Sequence, residues 1–187
     1  MLQARNSVDV AISESFKELA LTCSIEKITI KEITDKAGLI RPTFYNHFQD
    51  KYELLEWIIQ SDIFDPALVL AQQGYLDEAL LIIYTNLFKE KNFYRRASHL
   101  EGQNSFAGMI RADLKSIILD ALENKDLKLP NGWVTKDRLA DYHAGYIADV
   151  SIAWIKDNMP ISPKEMSDVM NFMLKNSLLD VLKVEGK

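Results

Sequence analysis

The sequence predicts an all-α fold, and three observations support this prediction. Apolar residues recur at three- and four-residue steps along most of the chain, whereas the alternation typical of β-strands is scarce. Glycine and proline, which interrupt regular elements, number only 7 and 5 among the 187 residues. Several Ser, Thr and Asp residues are followed three positions later by Glu, which is the capping-box pattern of a helix start. We therefore expect about nine helices.

The composition is that of an ordinary globular protein, with 48% apolar and 26% charged residues. Its single cysteine, Cys23, can form neither an internal disulfide nor a clustered zinc site. The sequence shows no signal peptide and no apolar run long enough to span a membrane, so we expect a cytoplasmic protein. The net charge of −5 argues, at first sight, against a nucleic-acid partner.

Two helices are predicted in the first forty residues. The first covers about residues 8–23, and its apolar stripe includes Cys23, which we expect to be a buried thiol. The second opens at Thr29, where Glu32 completes a capping box. It ends at Gly38, a residue type that favours the left-handed backbone of a helix C-terminus.

A short third helix fits residues 40–48, because Pro42 is tolerated in a first turn where its missing N–H has no partner. Asp50 then caps a fourth helix, with Glu53 completing a second capping box and Pro66 near the helix end. Two short helices joined by a tight turn, early in an all-α chain, are typical of a helix-turn-helix. Two packed helices of an ordinary bundle are the alternative.

The rest of the chain predicts longer helices. Their ranges are about 76–90, 92–100, 106–122 and 137–157, and a loop at 125–136 contains the turn residues Pro130-Asn131-Gly132. Ser162 as N-cap, Pro163 at the first helical position and Glu165 at the third mark the start of a last helix. This helix is expected to run to about Val184.

Residues 29–55 carry a specific motif. They include Ala37-Gly38, Thr43-Phe44-Tyr45, His47-Phe48 and Lys51-x-x-Leu54. This arrangement resembles the tetracycline-repressor (TetR) family, over about the first third of the chain. The resemblance implies a helix-turn-helix DNA-binding domain at residues 1–50. It also implies a larger helical effector-binding and dimerisation domain at residues 51–187, in a dimeric transcriptional regulator that is a repressor by default.

One departure from the family pattern concerns the start of the third helix. Ile40 stands where the family usually has Ser or Thr, so the N-cap hydrogen bond is expected to be missing, at a cost of about 1 kcal/mol. Pro42 replaces a common Gly and offsets part of this cost by making the entry to the helix rigid.

The candidate DNA contacts follow from position, because the first residues of a recognition helix meet base edges in the major groove. Arg41 can donate to guanine, Pro42 and Thr43 can touch a thymine methyl, and Asn46 can read adenine or hold a phosphate. The resemblance implies that Thr43, Tyr45 and Lys51 hold phosphates. The full candidate set is Lys27, Thr29, Arg41, Pro42, Thr43, Tyr45, Asn46, His47 and Lys51.

The roles of His47 and Lys27 are left open. His47 fits a phosphate-side or capping role, or a packing role, and neither requires it to be charged. Lys27, like Lys31, can flank the phosphates or simply face solvent. Phe44 and Phe48 are expected to pack inside the small three-helix unit.

The charge of residues 27–51 removes the argument against a nucleic-acid partner that the net charge of −5 suggested. Residues 27–51 hold five basic and three acidic side chains, a local net charge of +2. We therefore expect salt-dependent binding of double-stranded DNA, at a palindromic operator read by a two-fold dimer.

The C-terminal two-thirds resembles a subgroup of the same family, the regulators related to the dihydroxyacetone kinase regulator. The likeness is carried by Phe93-Tyr94, Gly102-Gln103-Asn104-Ser105-Phe106, Tyr142-x-x-x-Tyr146, Ala153-Trp154-Ile155 and Ser162-Pro163-x-Glu165-Met166. The last two helices are expected to form a four-helix bundle with a second copy, with packing inside one chain as the alternative. The candidate interface residues are Ala144, Ala148, Ile152, Met170, Met173, Leu174, Leu178 and Val181.

The resemblance also implies an effector pocket among the middle helices. Its candidates, each of which could be plain core instead, are Tyr84, Phe88, Phe93, His99, Gln103, Phe106, Met109 and Tyr146. The three histidines form no metal-spaced cluster and no Gly-rich phosphate loop occurs, so we expect no enzyme, metal or cofactor. DNA affinity is expected to be controlled by a small-molecule effector, or alternatively by a partner protein. A large closed pocket would favour the first and a packed middle domain the second.

Overall fold

The computed structural model describes residues 6–183, and the regular elements of this range are helical, which confirms the all-α prediction. Short 3-10 turns cover Ile25–Lys27 and Gly102–Asn104. The α-helices are α1 (Ser7–Ala20), α2 (Ile30–Ala37), α3 (Arg41–Tyr45), α4 (Lys51–Ile59), α5 (Asp65–Gln72), α6 (Leu76–Lys89), α7 (Lys91–Ala97), α8 (Phe106–Glu123), α9 (Lys136–Lys156), α10 (Pro163–Lys175) and α11 (Leu178–Lys183).

Local hydrogen bonds explain why the early helices begin and end where they do. The Thr29 hydroxyl accepts from the backbone N–H of Glu32, whose carboxylate accepts in return from the Thr29 N–H, so the predicted capping box is present. Gly38 adopts φ +68° at the end of α2, as its residue type predicts. Ile40 precedes α3 without a side-chain cap, which confirms the expected missing hydrogen bond.

The fourth predicted helix differs from expectation at both ends. Asp50 caps α4 by accepting from the N–H groups of Tyr52 and Glu53, but the Glu53 carboxylate accepts from the N–H of Gln49 rather than from that of Asp50. The prediction that this helix ends near Pro66 is wrong. The chain stays helical from α4 through a π-helical segment, Gln60–Phe64, into α5, where Pro66 occupies the first turn.

Pro66 is tolerated within the helix because the Asp62 carbonyl, to which a proline cannot donate, accepts a hydrogen bond from a side chain instead. In a regular helix the N–H of residue 66 would donate to the carbonyl of Asp62. Here the side-chain amide of Asn86, on α6, donates to that carbonyl at 2.8 Å. The helix therefore continues past the proline with the Asp62 carbonyl hydrogen-bonded.

The last predicted helix is divided in two. α10 begins with the predicted Ser162–Glu165 capping box, but it ends at Lys175 because Asn176 adopts an extended backbone. Ser177 then caps α11 by accepting from the N–H of Asp180 at 3.2 Å. The predicted end at Val184 lies outside the described residues.

One apolar core joins the N-terminal helices to the rest of the chain. Phe16 on α1 meets Phe93 on α7 edge to face, with 6.0 Å between ring centroids. Cys23 is exposed, which contradicts the expected burial: α1 ends at Ala20, so Cys23 lies beyond the helical stripe. The expected domain division at residue 50 falls at the N-cap of α4 and stays a prediction. None of the described helices is long and apolar enough to cross a membrane.

Candidate nucleic-acid interface

α3 presents a polar edge to solvent and an aromatic face to the core. Phe44 is fully buried and packs against Phe48 with 5.8 Å between ring centroids, which confirms their expected packing role. The exposed residues form what we call the α3 edge, namely Arg41, Pro42, Tyr45 and Asn46. Thr43 is half-buried beside them. The helix is thus fixed from behind while its outward residues remain accessible.

Arg41 and Tyr45 lie one helical turn apart on this edge. The Arg41 guanidinium donates to the Tyr45 hydroxyl over 3.4 Å, a long and exposed contact. Within residues 6–183 Arg41 has no acidic partner, so its donors can meet an acceptor pair such as N7 and O6 of guanine.

His47 connects the end of α3 to α1. Its Nδ1 atom lies 2.6 Å from Oδ1 of Asp9, and both side chains are largely buried. Among the roles left open by the sequence, the geometry favours positioning: the pair anchors α3 against α1. No sequence pattern indicates Asp9 as the partner, because 38 positions separate the two residues.

Lys51 is engaged by the protein's own backbone. Its ammonium donates to the carbonyl oxygens of Glu26 and Ile28, at 2.5 and 2.9 Å, and burial lowers the pKa of Lys51. Two of its three donors are therefore used to hold the turn before α2. A lysine in the first turn of a helix is disfavoured by the helix dipole, and this anomaly was the available signal of a specific partner.

Other candidates on this surface are also engaged. The Thr29 hydroxyl belongs to the α2 capping box, Lys31 pairs with Asp35 at 2.6 Å, and Lys36 pairs with Glu18 on α1 at 2.6 Å. Lys27 is exposed and has no ion pair within the described range. The positive charge available to an anion is thus smaller than the local count of +2, and it centres on Lys27 and Arg41.

A charged contact ties α1 to the π segment. Lys17 Nζ lies 2.7 Å from Asp62 Oδ2 and 3.0 Å from Glu14 Oε1. Burial alone would lower the pKa of Lys17, but hydrogen bonds and charge from Asp62 and Glu14 outweigh it and raise that pKa. No spacing pattern in the sequence indicates the contact between Lys17 and Asp62, which are 45 positions apart. It lies where α1 meets the π-helical segment that leads into α5.

Within residues 6–183, a small cavity lies among the middle helices. Its volume is about 60 Å³, its walls are apolar, and its polar feature is the Tyr84 hydroxyl within 3.1 Å of the Ser151 hydroxyl. Burial raises the pKa of Tyr84 to about 12, so the phenol stays protonated. Ligand pockets for small molecules typically measure about 300–1,000 Å³, so this cavity is too small for most effectors.

The effector candidates are not brought together. Tyr84 lines the small cavity; Phe93, Phe106 and Met109 are buried elsewhere in the core; and Phe88 stacks on Trp154 at the surface. Tyr146 is half-buried.

His99 and Gln103 are exposed and do not share a helix face, because α7 ends at Ala97 and Gln103 lies in a separate 3-10 turn. Ser105 caps α8 by accepting from the Gly108 N–H, as the sequence allowed.

One face of α9 forms a ridge of small residues, Ala140, Ala144, Gly145 and Ala148, and this ridge lies inside the chain. Ala144, Ala148 and Ile152, and also Met170 on α10, belong to the chain's own buried core, which corrects their predicted place at the surface. The ridge lets α9 approach α8, where a Cβ added at Gly145 would lie 3.2 Å from Arg111.

The other interface candidates have different environments. Met173, Leu174 and Val181 are exposed on α10 and α11, where Phe172 and Leu179 are exposed as well. Leu178 begins α11, but its side chain lies outside the described part of the chain.

Comparison with protein families gives two matches along the chain. Residues 18–58 match the family described as bacterial regulatory proteins of the tetR family. Residues 75–176, more than half of the chain, match the family described as the transcriptional regulator C-terminal region. The chain belongs to the TetR family of transcriptional regulators. Proteins of this family are DNA-binding transcriptional regulators rather than enzymes.

Individual relatives agree with this membership. The HTH-type dhaKLM operon transcriptional activator DhaS of Lactococcus lactis is 31% identical over 87 residues, which cover 46% of this chain and 46% of DhaS. The aligned part therefore spans less than half of that relative.

Solved structures of TetR-family members share the fold. The dihydroxyacetone kinase operon activator DhaS superposes with a TM-score of 0.64 at 21% identity, covering 90% of this chain and 95% of that one. FadR of Thermus thermophilus, a repressor in complex with lauroyl-CoA, superposes with a TM-score of 0.61 at 16% identity, covering 91% of this chain and 94% of FadR. NalD, the secondary repressor of MexAB-OprM in Pseudomonas aeruginosa, superposes with a TM-score of 0.60 at 16% identity, covering 90% of this chain and 95% of NalD.

Proposed function

We propose that this TetR-family regulator binds a palindromic operator in the cytoplasm as a homodimer, with the α3 edge in the major groove. The observation that carries the proposal is the arrangement of α3, whose buried aromatic face fixes the helix while Arg41, Pro42, Tyr45 and Asn46 remain exposed. Arg41 has the donor geometry to read guanine, and no acidic side chain in the described range competes for it.

Phosphate contacts would position this edge on the duplex. Lys27, Thr43 and Tyr45 are accessible for that role, whereas Thr29 and Lys51 already hold the protein's own turn before α2. The third donor of Lys51 remains for a phosphate. We infer that Lys51 contributes mainly by shaping the helix-turn-helix, and that His47 contributes by anchoring α3 to Asp9.

The homodimer is proposed to form through the outer faces of α10 and α11. Phe172, Met173, Leu174 and Val181 expose apolar surface there, and α10 packs against α6 on its other side. Sedimentation at micromolar protein tests this part, and a monomer there would contradict it. A two-fold dimer would match the symmetry of a palindromic operator.

The regulatory outcome is proposed to be repression relieved by an effector, through a shift toward a dimer whose α3 helices no longer match the half-site spacing. The names of FadR and NalD as repressors, and of FadR in complex with lauroyl-CoA, support this version. No catalytic activity is proposed.

A specific observation favours a second candidate, control by a partner protein. The cavity among the middle helices holds only about 60 Å³, and the partly matched relative DhaS is named an activator. In this version another protein reads the C-terminal half of the chain, and the cavity is only a packing defect. Titration of operator complexes with small-molecule extracts and, separately, with protein fractions tests which component changes DNA affinity.

The core proposal is tested by fluorescence anisotropy with DNA from the chain's own upstream region. Arg41→Ala should weaken specific binding by about 5- to 150-fold, the equivalent of one bidentate base contact, and Tyr45→Ala should weaken it as well. Lys31→Ala is the matched control, because Lys31 is exposed nearby but paired with Asp35. The absence of salt-sensitive specific binding, or binding unaffected by both α3 variants, would refute the proposal.

A further inference from the structure

A solvent-open cleft lies between the end of α1 and the outer face of α7. We call it the α1–α7 cleft; its volume is about 440 Å³, and it is lined by Leu21, Asn92, Arg95, Arg96 and His99. This volume falls within the range of small-molecule sites, about 300–1,000 Å³, unlike the cavity in the core. A small ligand therefore has more room in this cleft than in the 60 Å³ cavity among the middle helices.

The lining is arranged by the two faces of α7. One face of α7 is buried in the core through Phe93 and Ala97. The opposite face, whose residues recur at three- to four-residue steps, lines the cleft with Asn92, Arg95, Arg96 and His99. His99 stays in line because the chain makes one further turn after α7, with its N–H donating to the Arg96 carbonyl. Four nitrogen-bearing side chains are thus brought to one wall.

The charge of this wall is uncompensated. Within the described range neither Arg95 nor Arg96 has an acidic partner, and no carboxylate lines the cleft. Two guanidinium groups supply planar donor pairs that fit phosphate oxygens bidentately, and Asn92 and His99 add further donors. Leu21 gives the opposite wall an apolar surface, which suits an organic group attached to the phosphate.

The position of the cleft connects it to DNA binding. Leu21 caps the end of α1, and the Asp9–His47 pair ties α1 to the turn that directly follows α3. α7 belongs to the second half of the chain and touches α1 through Phe93 and Phe16. A ligand held on both walls would set the spacing of α1 and α7, and with it the orientation of α3.

We propose that the α1–α7 cleft binds small phosphate monoesters through Arg95 and Arg96 and couples their binding to the DNA affinity of α3. The coupling rests on the proposed operator binding, whereas the binding of the monoester does not. The effector class would then be a phosphorylated metabolite bound at the junction of the two halves of the chain.

Calorimetric titration of the full chain without DNA tests the binding step, with phenyl phosphate as the probe and phenol as its uncharged match. Phenyl phosphate should bind at least about tenfold more tightly than phenol, and the double variant R95Q/R96Q should lose about tenfold in affinity. The control R111Q/R138Q removes the same charge from exposed arginines of α8 and α9 and should leave binding unchanged. No detectable binding at about 10 mM, or equal loss in both double variants, would overturn the proposal.

DNA binding supplies the second readout. In the wild-type protein phenyl phosphate should change operator affinity by at least about threefold, and this change should vanish in R95Q/R96Q. If instead R95Q/R96Q weakens DNA binding without the probe and lowers its salt dependence, the arginines contact the DNA backbone and the proposal is wrong. If no operator binding occurs at all, the calorimetric result still decides whether the cleft is a phosphate site.

Discussion

Replacing Lys17 with methionine should lower the free energy of unfolding by about 2–3 kcal/mol. Removing one partner of a buried ion pair typically costs about 3–5 kcal/mol, because the other charge is left without compensation. Lys17 and Asp62 are 2.7 Å apart, with side-chain exposures of 9% and 21%. We expect less than the full cost because Asp62 still touches solvent and methionine preserves the apolar packing of the lysine stem.

Urea unfolding at one fixed protein concentration measures this loss, and a double-mutant cycle with Asp62→Asn isolates the pair, whose coupling should exceed about 1 kcal/mol. Lys164→Met is the matched control: Lys164 and Asp168 form an exposed pair one turn apart on α10, where the loss should stay below about 0.5 kcal/mol. If Lys17→Met costs no more than Lys164→Met, or if the cycle is additive, the reasoning is refuted.

The pH dependence provides an independent check. The fold raises the pKa of Lys17 above its ordinary 10.5, so the charged form is favoured in the folded state. The stability that Lys17 contributes is fully present below that ordinary value, and it is lost as the pH rises through the raised one. The difference between wild type and Lys17→Met should therefore be flat near neutrality and shrink only in strong alkali.

Three further substitutions test local features of the fold. Burial, with the charges of Glu56 and Asp65, raises the pKa of Asp113 from 3.8 to about 6, so stability should fall as pH rises between these values. Asp113→Asn should remove this pH dependence and raise the free energy of unfolding near neutrality by about 1 kcal/mol, a figure reduced for solvent screening. Urea unfolding midpoints at pH 4 and pH 7, about the two limits, measure the effect. An unchanged pH dependence in the variant would contradict the role given to Asp113. Ile40→Ser should stabilise α3 by about 0.5–1 kcal/mol by supplying the missing cap, whereas the control Ile40→Ala should not. Gly38→Ala should cost about 1 kcal/mol in thermal unfolding, because φ is +68° and no atom crowds the added methyl; a neutral result would show that the turn relaxes.

Sequence reasoning worked where the interacting groups are neighbours along the chain. The capping boxes at Thr29 and Ser162 each join residues three positions apart, and Gly38 terminates α2 through its own backbone freedom. The membership in the TetR family followed from a compact motif within residues 29–55. These features need no knowledge of which helix packs on which.

Reasoning from the sequence failed where the partner is distant in the chain. Pro66 looks like a helix end until the amide of Asn86 is known to take the carbonyl that the proline leaves free. The phosphate role of Lys51 stays a prediction, but the sequence does not reveal that its ammonium also reaches carbonyls 23 and 25 positions earlier. The sequence places Ala144 at an interface with a second copy, whereas the structure packs it inside the chain, where α9 approaches α8.

The π-helical segment Gln60–Phe64 also sets the relative orientation of the helices before it and the helices after it. A π turn accommodates one residue more than an α turn, and each residue of a helix advances the direction of its side chain by about 100°. Gln60–Phe64 therefore determines which way α5 and everything after it faces relative to α4. Deleting a single residue there would restore a regular helix and rotate α5 and the helices after it by roughly a quarter-turn relative to α1–α4. The number of residues in this continuous helical stretch therefore sets how α5 and the later helices are oriented relative to α1–α4.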